Sequence, residues 1–289
     1  MWIVNNIKKY FFLILLLSFS FNIQAKTLKV LLWNTENFFD TKDEPKKDDT
    51  VLTDEQFNQK LNNISSKIKE INPDIVGLCE IENIFVLEQL AKKSNYKYFY
   101  LEEGNDPRGI DVGVLSKYKL EYKTNKNLPT PYKENKNYKF SRDCTESYFE
   151  FNKKKFYILL THLKSSFRDD KKSEKKREAQ IFGILDIISN IYEQNKEEPY
   201  LILMGDLNSN RFSEPLNILQ KSGLVILNYF YKKKNVYTII YKKKKEDIDY
   251  IIFNKKLFDE GKIKKFKSFN SNDFKKISDH FPLYVEIDL

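Results

Sequence analysis

The chain has 289 residues, 41% of them hydrophobic and 31% charged, with a formal charge of +9. That is enough apolar material for one large core or two small ones. Two cysteines and two histidines exclude a disulfide-stapled scaffold and leave no material for a structural zinc site. The positive balance suits an anionic partner such as nucleic acid or phospholipid, although the lysines are spread through the whole chain and select neither.

Lys8 and Lys9 precede a mostly apolar run from Tyr10 to Phe21, and Ile23-Gln24-Ala25 ends in a small residue. This is the layout of a signal peptide over residues 1–25, too short for a comfortable membrane span; the alternative is an uncleaved anchor. The expectation is export, to the periplasm or beyond the cell, with no stable membrane association after cleavage and a monomeric domain over 26–289.

Within 26–289 no Gly/Pro/Ser linker and no repeat divides the chain. Leu28 to Trp33 reads as a strand. Gln56 to Ile71 reads as a helix, with Phe57, Leu61, Ile64 and Ile68 at helical spacing and Thr53 with Gln56 as a capping box. Ile75 to Cys79 is a strand, with Cys79 as a buried small hydrophobe rather than a disulfide partner of Cys144. Ile84 to Lys93 is a helix. Strands follow near 97–102, 110–116, 119–124, 145–151 and 155–161, and then a long helix over Ser173 to Tyr192. On that helix Arg177 and Gln180 read as surface or capping side chains. Tyr200 to Met204 is a strand and Glu214 to Lys221 a short helix. Val236 to Tyr241 and Asp249 to Phe253 look like the arms of a hairpin turning at Lys242–Lys245, and Leu283 to Ile287 is a last strand. Such alternation predicts one α/β domain with helices covering sheets.

The polar residues fall where apolar strands stop: Asn34, Glu80, His162, and Asp206 with Asn208. Asp247-Ile248-Asp249 and Ser278-Asp279-His280 flank later strands. Ligands of α/β proteins sit beyond the carboxyl ends of strands. Hard oxygen donors in this set suit Mg²⁺, with Mn²⁺ or Ca²⁺ as alternatives, and such ions partner phosphate groups. Both histidines of the chain lie in these clusters, and imidazole is the side chain best placed to move a proton near neutral pH.

Seven segments then occur in a fixed order: Trp33-Asn34-Thr35-Glu36-Asn37-Phe38-Phe39-Asp40, Gly77-Leu78-Cys79-Glu80-Ile81-Glu82-Asn83, Arg108-Gly109-Ile110-Asp111-Val112, Thr161-His162-Leu163-Lys164-Ser165, Gly205-Asp206-Leu207-Asn208-Ser209, Ile248-Asp249-Tyr250-Ile251 and Ser278-Asp279-His280-Phe281-Pro282. Together they resemble the endonuclease/exonuclease/phosphatase superfamily, in particular its exported bacterial nuclease-like members. The resemblance implies a four-layer α/β sandwich of two packed mixed β-sheets flanked by helices. It implies metal ligation by Asn34, Glu36, Glu80 and Asp279, and catalytic roles for His162, Asp206, Asn208, Asp249 and His280. Arg108, Asp111 and Lys164 would line the substrate cleft. Glu82 stands where pancreatic-type deoxyribonucleases carry a groove-reading arginine, so their DNA-contact pattern does not carry over, and Cys79 replaces a common glutamine. The implied activity is metal-dependent phosphodiester hydrolysis, with DNA as the foremost substrate and RNA beside it. A phospholipid or inositol phosphate hydrolase, and a toxin-like binding subunit, are the alternatives.

Overall fold

The computed structural model describes residues 26–132, 136–165, 170–231 and 236–289; the expected signal peptide and the lysines at 232–234 lie outside the described residues. In chain order the elements are β1 (Thr27–Phe38), α1 (Asp54–Ile71), β2 (Ile75–Ile81), α2 (Ile84–Ser94), β3 (Tyr98–Leu101), β4 (Asp111–Ser116), β5 (Glu121–Lys123), β6 (Thr130–Tyr132), β7 (Lys136–Tyr138), β8 (Cys144–Phe151) and β9 (Lys154–His162). There follow α3 (Asp170–Gln194), β10 (Tyr200–Asp206), α4 (Glu214–Lys221), β11 (Val225–Ile226), α5 (Leu227–Phe230), β12 (Ile239–Tyr241), β13 (Lys244–Glu246), β14 (Asp249–Phe253), α6 (Lys255–Glu260), β15 (Lys262–Ser268), α7 (Asn272–Lys275) and β16 (Leu283–Asp288).

Two six-stranded sheets carry the fold, ordered β15-β16-β1-β2-β4-β3 and β11-β14-β10-β9-β8-β5. Each is mixed. In the first, β1 runs parallel to β2; in the second, β9 runs parallel to β10; their other neighbours are antiparallel. Each parallel pair is joined by a long crossover helix, α1 or α3, because parallel neighbours need such a connection. One apolar cluster lies between the sheets (Leu32, Cys79, Leu160, Met204, Ile251), one under α1 and α2, and one under α3 and α4. The expected four-layer sandwich of packed mixed sheets is therefore the observed fold.

The capping box of Thr53 and Gln56 starts α1. Cys79 and Cys144 are buried free thiols. The expected hairpin of Val236–Tyr241 with Asp249–Phe253 is wrong. β12 pairs instead with β13 through a two-residue turn at Lys242-Lys243, both at positive φ, and β14 pairs with β10. The physical reason is burial: every residue of β14 is buried, so it completes an inner sheet, whereas the lysine-rich segment stays in solvent. The edge strand β15 was not anticipated, because its run of lysines hides a single buried Phe266, as suits an exposed sheet edge.

Candidate active site

The parallel pairs β1–β2 and β9–β10 both end at this site, and the two pairs end differently. In the first sheet the ladder breaks between Asn34 and Phe38 on β1, and between Cys79 and Ile81 on β2. Glu36, Asn37 and Glu80 take positive φ at these breaks, a costly conformation for side-chain-bearing residues. Bulges of this kind re-aim a side chain where a strand would have hidden it. The N–H of Asn37 donates to Glu80 Oε2 (2.8 Å), and the N–H of Asp279 donates to Glu36 Oε2 (2.9 Å). Lys60 of α1 donates to the carbonyl oxygens of Glu36 and Asn37 and so fastens the strained turn. Sequence reading did not single out Lys60, since nothing in a helix pattern shows which loop it will reach.

In the second sheet the strands run straight to their functional residues, and Asp206 lies beside His162 in register. Gly205 permits this closeness: a Cβ there would stand 1.8 Å from the carbonyl oxygen of Thr161. Asp206 is buried at the centre of the site. Its Oδ2 accepts from Asn34 Nδ2 (3.0 Å) and lies 3.4 Å from His162 Nε2 and 3.9 Å from His280 Nε2. Its Oδ1 accepts the N–H of Asn208 (2.9 Å). Asn208, itself at positive φ, uses Nδ2 to donate to the carbonyl of Leu163 (3.1 Å). Asp249 Oδ2 lies 2.8 Å from His280 Nδ1 and fixes that ring. Glu80 Oε1 stands 4.0 Å from His162 Nε2, joining the two sheets' contributions.

The electrostatics separate two histidines that look alike in sequence. Burial, with Arg142 and His280 as neighbouring cations, holds His162 well below the usual imidazole range, so it is neutral. Burial also opposes charge on His280, but the carboxylates of Asp249, Asp206 and Asp279 outweigh it and hold that ring well above its usual range, as a cation. Burial and the Asp249 carboxylate push the Asp206 carboxyl up to about 7. A neutral ring and a cationic ring thus flank a carboxyl poised near neutrality.

Among the described residues, Asp206, Asp249 and His280 are the acid and histidine group whose ligand atoms lie within 4.8 Å of one another. We read them as a proton network rather than a metal cage, because a ligating imidazole must be neutral and His280 is not. Glu80, Glu36 and Asn34 offer the hard oxygens that Mg²⁺ takes, on bulges that turn the carboxylates outward. Asp279 is more than half exposed on the same rim. The donor set fits a hard divalent cation.

The cleft above these groups measures about 1070 Å³ and is lined by Glu80, Arg108, Arg142, His162, Asp206 and His280, among others. Arg108 donates to Asn37 Oδ1 (3.2 Å) and Asp106 (3.3 Å). Asp111 is not among the lining side chains. It is buried behind them, where Oδ1 accepts the N–H of Gly104 (2.7 Å), and burial with the Glu103 carboxylate raises it to about 8. Lys164 is exposed and absent from the lining; its backbone is what the site uses, its N–H donating to Gln180 and its carbonyl accepting from Arg177. Gln180 and Arg177 are accordingly buried holders of this segment, not surface residues. Glu82 also faces away, accepting the N–H of Asp40. Arg142 is the main residue the sequence did not flag.

A family model described as endonuclease/exonuclease/phosphatase family matches residues 29–273. The chain belongs to the endonuclease/exonuclease/phosphatase family. No curated protein sequence matches it. Solved structures share the family fold: the human nocturnin catalytic domain with bound sulfate anion (18% identity, 92% of this chain and 97% of that one, TM-score 0.67) is one. D. rerio TDP2 complexed with single strand DNA product is another (17%, 91% and 100%, TM-score 0.65). A third is a family protein from Leptotrichia buccalis C-1013-b (17%, 91% and 100%, TM-score 0.62). The family match ends before Asp279 and His280, and it is the loop before β16 that brings both to the cleft.

Proposed function

We propose that the chain is an exported, divalent-metal-dependent phosphodiesterase that cleaves nucleic acid, with DNA as its foremost substrate. The observation carrying this reading is the neutral His162 and cationic His280 on either side of Asp206, below a cleft walled by arginines. In this reading Asp206, held by Asn34 and Asn208, accepts the proton of an attacking water. His280, kept charged by Asp249, donates to a non-bridging phosphoryl oxygen and stabilises the charge that builds there. His162 exchanges a proton with Asp206 and returns it to the leaving oxygen. Glu80 and Glu36, with Asn34 and Asp279 beside them, would hold the cation, which when bound neutralises charge on the phosphoryl oxygens.

The nucleic-acid class is supported by the arginines and by a family fold shared with a protein solved with a single strand DNA product. Export rests on the leader pattern of residues 1–25. The test is purified 26–289 offered supercoiled plasmid, RNA and sphingomyelin, with Mg²⁺ and with EDTA. Nicking of plasmid that EDTA abolishes is expected; release of phosphocholine with intact plasmid would reverse the assignment.

A further inference from the structure

Lysine dominates the basic residues of this chain; only five of the fifty are arginine, at 108, 142, 168, 177 and 211. Three of those five, Arg108, Arg142 and Arg177, line one cleft. Composition alone would have placed lysines there. An arginine retained against such a bias points to a need for its planar fork, which matches phosphate oxygens in a way an ammonium does not.

The three are arranged as a wall leading away from the reacting centre. Arg108 and Arg142 share a single carboxylate, Asp106: Arg108 Nε lies 3.3 Å from its Oδ1 and Arg142 Nη2 2.7 Å from its Oδ2. Arg142 is 2% exposed, its Nη1 donates to the carbonyl of Leu163 (3.2 Å), and its Nε is buried without a hydrogen-bond partner. Arg177 is also buried and its Nη1 donates to the carbonyl of Lys164 (3.1 Å). Gln180, one turn further along α3, takes the N–H of Lys164, so the helix grips this short segment by both its backbone groups. His162, Leu163 and Lys164 are consecutive, and two residues of chain advance at most about 7 Å. The wall therefore starts at the reacting centre and extends by a span of the order of one nucleotide. Glu174 is the acid on this side, with Ser165 beside it, and the guanidinium charge exceeds the carboxylate charge.

We infer that Arg142 and Arg177 form a second phosphate subsite, which binds the phosphate next to the scissile one in a nucleic acid strand. This rests on the proposed nucleic-acid activity and narrows it: the preferred substrate carries at least two phosphates in series, and a lone diester engages only half of the site. Arg108, tied to Asn37 and through it to the Glu80 bulge, faces the scissile phosphate instead.

The experiment compares thymidylyl-thymidine carrying a terminal phosphate on its 5′ side, on its 3′ side, or on neither. Binding of fluorescent versions is measured by anisotropy in EDTA, and turnover of unlabelled ones in Mg²⁺. A phosphate on one side should tighten binding about tenfold or more, the scale of a charge-assisted hydrogen bond, and lower KM more than it raises kcat. Arg177→Gln should erase that increment, and Arg177→Lys should restore only part of it. Equal affinity of the wild-type protein for all three ligands would overturn the subsite, and needs no variant to fold. Absence of any cleavage in Mg²⁺ would overturn the proposed activity instead, leaving the binding comparison to judge the subsite by itself.

Discussion

The rim and the floor of the cleft are built on different principles. The rim, Glu36, Glu80 and Asp279, stands on bulged or looped backbone, and its two glutamates sit at positive φ. The floor, Asp206, Asp249, His162 and His280, is buried and lies on straight strand ends or is fixed by a side-chain hydrogen bond. Backbone strain in one place turns carboxylates outward, where a hydrated cation can reach them. Burial in the other separates the proton affinities of two imidazoles without any strain. The family's two tasks, charge neutralisation and proton transfer, thus fall to different physical devices a few ångströms apart.

Breaking the floor should cost most. Asp206→Asn keeps the shape but removes the proton acceptor, and plasmid cleavage should fall by about 10²- to 10⁴-fold with an unchanged melting temperature. Residual activity within a few-fold of wild type would place the acceptor elsewhere. Damage to the rim should be smaller and of another kind. Glu80→Gln should raise the Mg²⁺ concentration needed for half activity by about 10- to 100-fold, and Glu36→Gln by less, since Glu36 is the more exposed. Calorimetric titration with Mn²⁺ checks the order.

Next comes the pH profile. His280 has its affinity for protons raised, so its charged form, and any activity needing it, persists as pH rises until the ring's own pKa is passed. Asp249→Asn removes the nearest carboxylate, so the alkaline limb of kcat should move to lower pH. An unmoved limb would mean that His280 charge is not what that limb reports. The smallest effect concerns Asp111, which never reaches the cleft. Its folded pKa of about 8 lies above the ordinary carboxyl value, so it favours folding at low pH, and that contribution is lost as pH rises through 8. Asp111→Asn should flatten the fall in unfolding free energy between pH 5 and 8, measured by denaturant titration, while leaving cleavage intact.

Much of this contrast was legible before any coordinates. Strands that stop at Asn34, Glu80, His162 and Asp206 announce a shared edge, because apolar runs end where side chains must meet water or ligand. The sandwich followed from alternating strand and helix patterns. The bulges were not legible: Glu36 and Glu80 need positive φ, and no residue preference marks a glutamate for it. Arg142 was missed for a related reason, since it sits outside any motif and its worth comes from Asp106 and Leu163, which are distant in sequence. The hairpin was misassigned because two apolar stretches separated by lysines look like paired arms. The turn residues Lys242 and Lys243 carry no glycine to betray the true fold-back.

The central claim is that one imidazole is neutral and the other cationic at the same pH. The chain has only two histidines, so an untagged, ¹⁵N-labelled protein gives two imidazole spin systems in a long-range ¹H–¹⁵N spectrum. Across pH 6 to 8, one ring should keep the nitrogen shifts of a neutral imidazole and the other those of an imidazolium, with His280→Ala removing the latter. Two rings titrating together near the ordinary value of about 6.5 would contradict the account.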